Sequence, residues 1–227
     1  SESNMAMVNV VNTPAANWWK NWGGGSNASA IVGFGGATAF PDKAFGAAAA
    51  ERVAGTDGLV VLSGGDTAVT VTAHTPASAE FTVGASDHGF TPGTLLMVCG
   101  PNSEAGGIIR LGAIFGMTGA AGTTTIGHAA GGGASGNATA NLGLGATQFT
   151  FGPNALITRL HASRWYIGNN ARGGRSLYQG VLTPGGVVND QEVAEGVRDM
   201  ALTYLVEGDN AYVDAAGVGA RWNEVVA

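Results

Sequence analysis

Apolar and polar residues alternate with a period of two along much of this chain. In the run TAVTVTAH, residues 67–74, small or branched apolar residues alternate with threonine. A period of two places neighbouring residues on opposite faces of a β-strand. The same alternation, or a short apolar run between turn residues, recurs along the chain and predicts a mainly antiparallel sheet. The predicted strands lie in the segments GLVVL, AEFTV, TLLMVCG, GIIRLGAIFG, QFTFG, ALITRLHASRWYIG and SLYQGVL.

Two clusters of turn residues between these runs predict hairpins. Gly64, Gly65 and Asp66 separate GLVVL from TAVTVTAH, and NNARGGR, residues 169–175, separates WYIG from SLYQGVL. Glycine and asparagine are favoured at such places because they tolerate the positive φ angles of tight turns. We therefore expect the chain to reverse direction at both clusters.

The stretch EGVRDMALTYLVEGDN, residues 195–210, is ambiguous because good helix formers occur together with an alternating apolar pattern. The large apolar residues share one parity: Met200, Leu202, Tyr204 and Val206. An amphipathic helix would instead place apolar residues three and four positions apart. We therefore predict a strand that is entered at Gly196 and left through a turn at residues 208–210.

The composition fits a single glycine-rich β domain. Of the 227 residues, 39 are glycine and 11% are charged. Because glycine inside a helix costs about 1 kcal/mol relative to alanine, so many glycines favour strands and irregular connections. We predict one domain over residues 1–227, divided into an irregular arm (1–50), a first β region (51–115), a Gly-rich loop (116–148) and a second β region (149–227).

Aromatic residues in the predicted arm are expected to fix it to the rest of the domain. Trp18, Trp19 and Trp22 lie within five positions of one another. Burial is the commoner use of such residues, although three neighbouring tryptophans could also form a stacking surface for a carbohydrate or a partner protein. The single cysteine, Cys99, lies in the apolar run LLMVC, where we expect a buried and unreactive thiol.

Charge and motif content exclude several classes of protein. The net charge of −6 gives no general attraction to nucleic acid, and no apolar run approaches the ~18 residues of a membrane helix. The four histidines lie far apart without an HExxH motif, and the chain contains neither a GxSxG nor a GxxxxGK[ST] motif. We therefore predict no catalytic residue, no cofactor and no metal ligand, and we expect that the chain is not an enzyme.

One segment concentrates basic and aromatic residues and is the candidate binding surface. On a hairpin these side chains could form a face for DNA or for a sugar acid. The alternative is that the arginine stems cover apolar sheet surface and pair with neighbouring carboxylates. The candidate residues are Arg159, Arg164, Trp165, Tyr166, Arg172, Arg175 and Tyr178.

Several motifs follow one another in a particular order in the second half of the chain. They are TTTIGHAAGGGASGNATANLG, then FGPNALITRLHASRWYIGNNARGGRSLYQGVL, then EVAEGVRDMALTYLVEGDNAYVDAAGVGARWNEVV. This order resembles that of PilW-type minor pilins of type IV pili. The upstream pieces FPDKAFG, AGTDGLVVL and FTPGTLLMVCGPNSEAGGIIRL fit the resemblance more loosely, so that it covers about residues 40–227.

The resemblance implies an α+β pilin-type head, which in this sequence is mainly antiparallel β-sheet with long Gly-rich loops. It implies a membrane-anchored precursor whose N-terminal hydrophobic helix is absent from this sequence, so the sequence would correspond to the soluble head. The expected function is non-enzymatic: assembly or priming of a type IV pilus, at its tip, together with other minor pilins and the major pilin.

The resemblance also sets the expected location and an alternative role. The precursor would sit in the bacterial inner membrane facing the periplasm, and the assembled subunit would lie in a pilus on the cell surface. A minor pseudopilin of type II secretion is the alternative within the resemblance, and a surface module that binds DNA or glycan is the alternative outside it. Without the helix, we expect an exposed apolar strip or an unpaired sheet edge.

Overall fold

The computed structural model describes residues 6–12, 18–20, 29–104, 107–146, 148–183 and 185–226, and in these the fold is a β-sheet protein. Strand accounts for 47% and helix for 7%, which places the chain among the all-β proteins. One mixed sheet contains the ten strands of the described residues. They are β1 (Ala6–Asn9), β2 (Ile31–Phe34), β3 (Gly58–Thr75), β4 (Glu80–Val83), β5 (Leu95–Glu104), β6 (Gly107–Gly116), β7 (Thr125–Gly127), β8 (Leu156–Asn169), β9 (Arg175–Thr183) and β10 (Val187–Glu195).

The expected α+β pilin-type head is therefore wrong. The α-helix of the described residues, α1 (Ala215–Val218), is a single turn, and the other helical segments are short 3₁₀ turns. The composition agrees with this result, because glycine and β-branched residues, which lower helix propensity, recur through most of the chain. No helix in the described part of the chain has the length and hydropathy to cross a bilayer.

The sheet has a main path of seven strands and three further strand pairings. The path runs β1-β6-β5-β8-β3-β4-β7, while β2 pairs with β3, β9 pairs with β8, and β10 pairs with β9. The β1 and β6 strands are parallel, which makes the sheet mixed, and the other pairings are antiparallel. Strand β8 is thus the centre of the sheet, because it pairs with β3, β5 and β9.

The hairpin predicted at Gly64, Gly65 and Asp66 is not formed. Strand β3 continues through this cluster, and its register with β8 shifts between Gly64 and Ala68. Both halves of β3 pair antiparallel with β8, so the chain keeps its direction and the extra residues form a bulge. The bulge lets one long strand belong to two parts of the sheet. The second predicted hairpin, at residues 169–175, is present between β8 and β9.

Strand β3 beyond the bulge, together with β4 and β7, forms a wing that folds over β5 and β6. The evidence is one shared apolar cluster with side chains from both layers. Wing residues in this cluster are Val69, Val71, Phe81, Val83 and Ile126, and those opposite them are Leu96, Val98, Leu111, Ala113 and Phe115. Burial of these side chains is the main stabilisation of the wing.

A second apolar cluster covers the opposite face of the sheet, which we call the inner face. Leu160, Ala162 and Tyr166 of β8 point into it, and Trp18, Trp19 and Phe40 from the predicted arm pack on them. Burial of both tryptophans agrees with their expected anchoring role, while Trp22 lies outside the described residues. The arm also contributes β1 and β2, so it is less irregular than its composition predicts.

The parallel pairing of β1 with β6 places Met7 against Cys99. A Cβ atom added at Gly112 would lie 2.7 Å from the Met7 methyl carbon and 3.5 Å from the Cys99 sulfur, so the two side chains meet above this glycine. The thiol is half-buried, and burial raises its pKa. The sequence predicts a buried and unreactive thiol, but Cys99 is only half-buried, and its raised pKa favours the neutral thiol over the thiolate.

Residues 195–210 are extended but do not form the predicted strand. Tyr204 and Val206 are buried while Ala201 and Thr203 are exposed, so the alternation is correct. The segment makes only isolated bridges, to Val213 and Val225, because the chain beyond it turns into α1 and a 3₁₀ turn at Trp222–Glu224. Its side chains form a third, smaller apolar cluster with Ile31 and Leu59.

The predicted Gly-rich loop, residues 116–148, is mostly irregular but is tied firmly to the sheet. It contains β7 and a buried asparagine, Asn137. The Asn137 side chain accepts a hydrogen bond from the Gly116 amide at 2.7 Å and donates to the carbonyls of Gly116 and Ala129 at 2.8 and 3.1 Å. A buried amide with these partners fixes the loop against the end of β6.

Candidate binding face

Alternation along β8 divides the predicted basic and aromatic surface between two faces of the sheet. Arg164 and Tyr166 share the parity of the inner-face residues, whereas Arg159 and Trp165 have the opposite parity. We call the face with Arg159 and Trp165 the outer face. Neighbours in sequence are therefore separated by the thickness of the sheet, and the seven candidate residues do not form one surface.

Arg164 is a structural residue of the inner face. Its side chain is 4% exposed, and its guanidinium donates to both oxygens of Asp42 at 2.6 Å and to Asp190 at 3.1 Å. Lys43 reaches the same Asp190 at 2.8 Å, which gives two cations and two carboxylates in one network. Because each charge has a partner, burial of Arg164 is tolerated, but the residue is inaccessible to a ligand.

Tyr166 and Tyr178 are also structural. Their rings stack with 5.5 Å between centroids, and both are buried. The Tyr166 hydroxyl donates to the Ala50 carbonyl at 2.9 Å, and the Tyr178 hydroxyl donates to the Asn169 carbonyl at 3.1 Å. Burial, reinforced by the Asp190 carboxylate, raises the pKa of Tyr166 above its ordinary value.

Arg172 and Arg175 lie at the β8–β9 hairpin, where neighbouring groups engage them. Arg172 pairs with Glu192 and, at 2.7 Å, with Glu195, while Arg175 donates to the Arg198 carbonyl at 3.0 Å. Both carboxylates come from β10, the strand that the sequence analysis did not predict. Two of the four candidate arginines, Arg164 and Arg172, are therefore paired with acidic side chains, as the alternative interpretation of the arginines anticipated.

Trp165 is the aromatic residue of the candidate set that the outer face retains. It is partly exposed, and its cross-strand neighbours are Leu59 of β3 and Gln179 of β9. Gln179 in turn faces Gln191 of β10. Since residues in register share a face, Trp165, Gln179 and Gln191 form a row across three strands.

The adjacent row has the same uncharged character. Ser163, Val181 and Asn189 are in register across β8, β9 and β10. Gln191 and Asn189 are exposed, and Gln179 is partly buried. Within the described residues, the side-chain amides of these three residues make no hydrogen bond to protein. We call the two rows the outer binding face: Ser163, Trp165, Gln179, Val181, Asn189 and Gln191.

Arg159 and His161 extend the outer face along β8. They line a cavity of about 310 Å³, whose other walls are the β3 bulge at residues 65–67 and the turn at residues 88–90. His161 is exposed and Arg159 is partly buried. The cavity therefore opens on the same side of β8 as Trp165.

A second cavity, of about 440 Å³, lies between β2 and α1 and is less suited to a ligand. Its polar side chains include Asp57 and Asp214. Asp57 accepts a hydrogen bond from the Leu202 amide at 2.7 Å, and Asp214 caps α1 by accepting from the Gly217 amide at 2.8 Å. Both carboxylates thus hold the C-terminal segment in place, which explains their presence without a bound molecule.

Two buried histidines meet inside the wing. The Nε2 atoms of His74 and His128 are 3.0 Å apart, and the Nδ1 atom of His74 accepts from the Phe151 amide at 3.1 Å. His74 therefore carries its proton on Nε2 and donates it to His128. Burial lowers the pKa of each ring to about 4. No group of three or more metal-ligating side chains was found in the described part of the chain.

Sequence reasoning identified Trp165 and Arg159 but missed the three amide residues of the outer binding face. Gln179 lies opposite Trp165 on the same face of the sheet, which can be seen only when the β8–β9 pairing is known. Asn189 and Gln191 belong to β10. Its signal in the sequence was TPGG, residues 183–186, because Gly185 and Gly186 both adopt positive φ in the turn that precedes the strand.

Comparison with known proteins adds no relative. The chain matches no protein-family model, no curated protein and no solved structure. What is established is therefore the class of fold, a β-sheet protein with a ten-stranded mixed sheet in its described residues. Its function has to be argued from its own surface.

Proposed function

We propose that this protein is a non-enzymatic surface module that binds glycan through the outer binding face. The observation that carries the proposal is the row Trp165, Gln179 and Gln191, in which a partly exposed indole stands beside two amides without protein partners. A sheet presents these groups on rigid strands, so that little conformational entropy is lost when a ligand binds.

The chemistry of this face matches that of a sugar ring. The C–H groups on one side of a pyranose can pack on the indole plane, which offers a large apolar surface at low entropic cost. Sugar hydroxyls both donate and accept hydrogen bonds, and each glutamine or asparagine amide supplies donors and an acceptor. Trp165 would therefore hold the ring while Gln179 and Gln191 contact its hydroxyls.

Glycan is favoured over DNA by the charges around the candidate residues. Arg164 and Arg172 are paired with carboxylates, and the chain carries a net charge of −6. Binding of DNA without sequence preference depends on cations that neutralise phosphates. The DNA alternative therefore has weak support, and a gel-shift assay at low salt is expected to show no complex.

Native gel electrophoresis through polysaccharide-containing gels tests the glycan proposal. Trp165→Ala should restore free mobility in any gel that retards the wild-type protein. In a titration with the same polysaccharide, this variant should bind about tenfold more weakly than the wild type. Tyr212→Ala is the matched control, because Tyr212 is an aromatic residue with 67% exposure that lies outside the outer binding face. Its mobility should equal that of the wild type.

Two results would contradict the glycan proposal. One is a wild-type protein that no neutral or acidic polysaccharide retards. The other is retardation that persists in Trp165→Ala, whatever the mobility of Tyr212→Ala. Near-UV circular dichroism of both variants should match that of the wild type, which ensures that a lost interaction reflects the surface and not the fold.

A role in assembly is a second candidate, supported by the β10 edge. Strand β10 pairs only with β9 among the described residues, and Val187 and Val193 on it are 63% and 51% exposed. Such an edge can accept a strand from another chain. We propose on this basis, and on the sequence resemblance, that the protein joins a type IV pilus or a type II secretion pseudopilus.

The assembly role can be tested separately from glycan binding. Val187→Lys with Val193→Lys should abolish association with purified minor and major pilin heads, because lysine on an edge strand opposes pairing. Leu144→Lys is the control, since Leu144 is a comparably exposed apolar residue outside β10. Equal association of both variants, or none by the wild type, would contradict this role.

A further inference from the structure

Arg159 differs in its partners from Arg164 of the same strand and from Arg172 of the β8–β9 hairpin. Arg164 and Arg172 pair with carboxylates, whereas Arg159 has no ion pair within the described residues. Its one hydrogen bond runs from Nη2 to the Gly89 carbonyl at 3.3 Å. Most of its N–H groups remain available, and a guanidinium binds a planar carboxylate with two parallel hydrogen bonds.

The surrounding cavity has the size and the polarity of a small-ligand site. Its volume is about 310 Å³, and Asp66 and His161 line it together with Arg159. Asp66 and His161 are exposed and make no ion pair within the described residues. They can therefore reach a bound molecule, one as an acceptor and the other as a donor or acceptor.

His88 forms a fixed wall of the same cavity and does not contribute a free group. Its Nδ1 atom accepts from the Phe90 amide at 3.0 Å, so Nε2 carries the proton that it donates to the Thr123 carbonyl at 3.0 Å. Both ring nitrogens are satisfied, and the side chain is 5% exposed. The turn at residues 88–90 is thus rigid where it faces Arg159.

The charges define the ligand more closely. A bare anion would meet Arg159 but would also be repelled by Asp66, whereas a hydroxy acid satisfies both. Its carboxylate accepts from Arg159, and one of its hydroxyls donates to Asp66. We propose that this cavity binds a uronic acid residue, so that the glycan recognised by the protein is an acidic polysaccharide.

The position of the cavity links it to the outer binding face. Arg159, His161, Ser163 and Trp165 alternate along one side of β8. Six residues of strand separate Arg159 from Trp165, which corresponds to about 20 Å. One extended polysaccharide can therefore contact both, with its carboxylate at Arg159 and another ring on Trp165; this arrangement rests on the glycan function proposed above.

Isothermal titration with polygalacturonate and with a neutral galactan provides the test. Arg159→Gln should weaken binding of polygalacturonate about tenfold or more and leave binding of galactan unchanged, because a charge-assisted pair is lost. Arg198→Gln is the matched control, because this substitution removes the same charge from an exposed side chain that does not line the cavity. It should leave both affinities unchanged.

Trp165→Ala separates this proposal from the broader one. Loss of all binding in Trp165→Ala, with wild-type behaviour of Arg159→Gln, overturns the uronic acid site and leaves the glycan module standing. Loss of polygalacturonate binding in Arg159→Gln alone supports the site but overturns the role of the outer binding face. An equal effect of Arg159→Gln and Arg198→Gln also overturns the site, since it shows only general charge attraction.

Discussion

The two faces of β8 use the same residue types for opposite purposes. On the inner face, Arg164 is buried between Asp42 and Asp190, and Tyr166 donates its hydroxyl to a backbone carbonyl. On the outer face, Arg159 and Trp165 remain partly exposed, and Arg159 has no carboxylate partner in the described residues. Partners brought by distant segments, and not residue type, decide which arginine supports the fold.

This difference explains why a cluster of basic and aromatic residues in a sequence is a weak indicator of a binding surface. Asp42 comes from the predicted arm and Asp190 from β10, more than a hundred residues apart in the chain. Once they converge on Arg164, desolvation of the charge is compensated and the residue becomes part of the core. On the outer face, Arg159 has no carboxylate partner within the described residues, and Arg159 and Trp165 both remain partly exposed.

Acid offers the largest expected effect, and it acts on the wing through His74 and His128. The pKa values of His74 and His128 are about 4 in the folded protein, against about 6.5 in the unfolded chain. The unfolded state therefore binds more protons between these values, so stability is full above pH 6.5 and falls as the pH drops towards 4. The loss for the pair is on the order of 5 kcal/mol.

Urea unfolding between pH 7 and 4 measures this effect. The double variant His74→Gln with His128→Gln should show a much smaller slope of stability against pH, since glutamine does not titrate. Hydrogen exchange should show that acid exposes the backbone amides of β4 and β7 before those of β8. A pH dependence that is identical in the double variant would contradict the assignment.

Two single variants at neighbouring positions, Arg164→Met and Trp165→Ala, test the contrast between the faces directly. Arg164→Met should cost about 3–5 kcal/mol of unfolding free energy, because it leaves Asp42 and Asp190 without their shared cation. Trp165→Ala should cost about 1 kcal/mol, as the ring is only partly buried. Urea unfolding at neutral pH gives both values, and equal losses would remove the distinction between a structural and an available face.

A smaller but cleaner comparison uses adjacent residues of β9. A Cβ atom at Gly180 would lie 2.5 Å from an Asp190 oxygen and 2.7 Å from Nε of Arg164, so Gly180→Ala should displace the ion network and cost about 1–3 kcal/mol. Gln179→Ala, on the outer face, should change stability by less than about 0.5 kcal/mol. Thermal unfolding of the two variants is sufficient, and an effect of the same size at both positions would count against the proposed faces.

Local alternation predicted much of the sheet, because a period of two depends only on neighbouring residues. The core positions of β4, β5, β6 and β8, and the β8–β9 hairpin, follow from it. Long-range pairing was not predictable in this way. The bulge at Gly64 was interpreted as a turn, since the same glycines suit both, and only pairing with β8 decides between them.

The candidate site was predictable only in part for the same reason. Trp165 and Arg159 were predicted, but they could not be separated from Arg164 and Tyr166, because the two sides of a strand become distinct only when one of them is covered. The amides at Asn189 and Gln191 depend on β10, a strand with few large apolar residues and therefore a weak pattern. The segment QFTFG was predicted as a strand, but Phe149 and Phe151 instead fill the wing from an irregular segment.

The meeting of Met7 and Cys99 above Gly112 makes the parallel edge of the sheet observable in real time. The thiol belongs to β5, but the side chain that lies across Gly112 from it comes from β1. The thiol is half-buried while β1 is in place, so a departure of β1 from β6 would expose more of the sulfur, and faster labelling by a thiol reagent would report weaker attachment of this strand. With a single cysteine in the chain, no second site contributes to the signal.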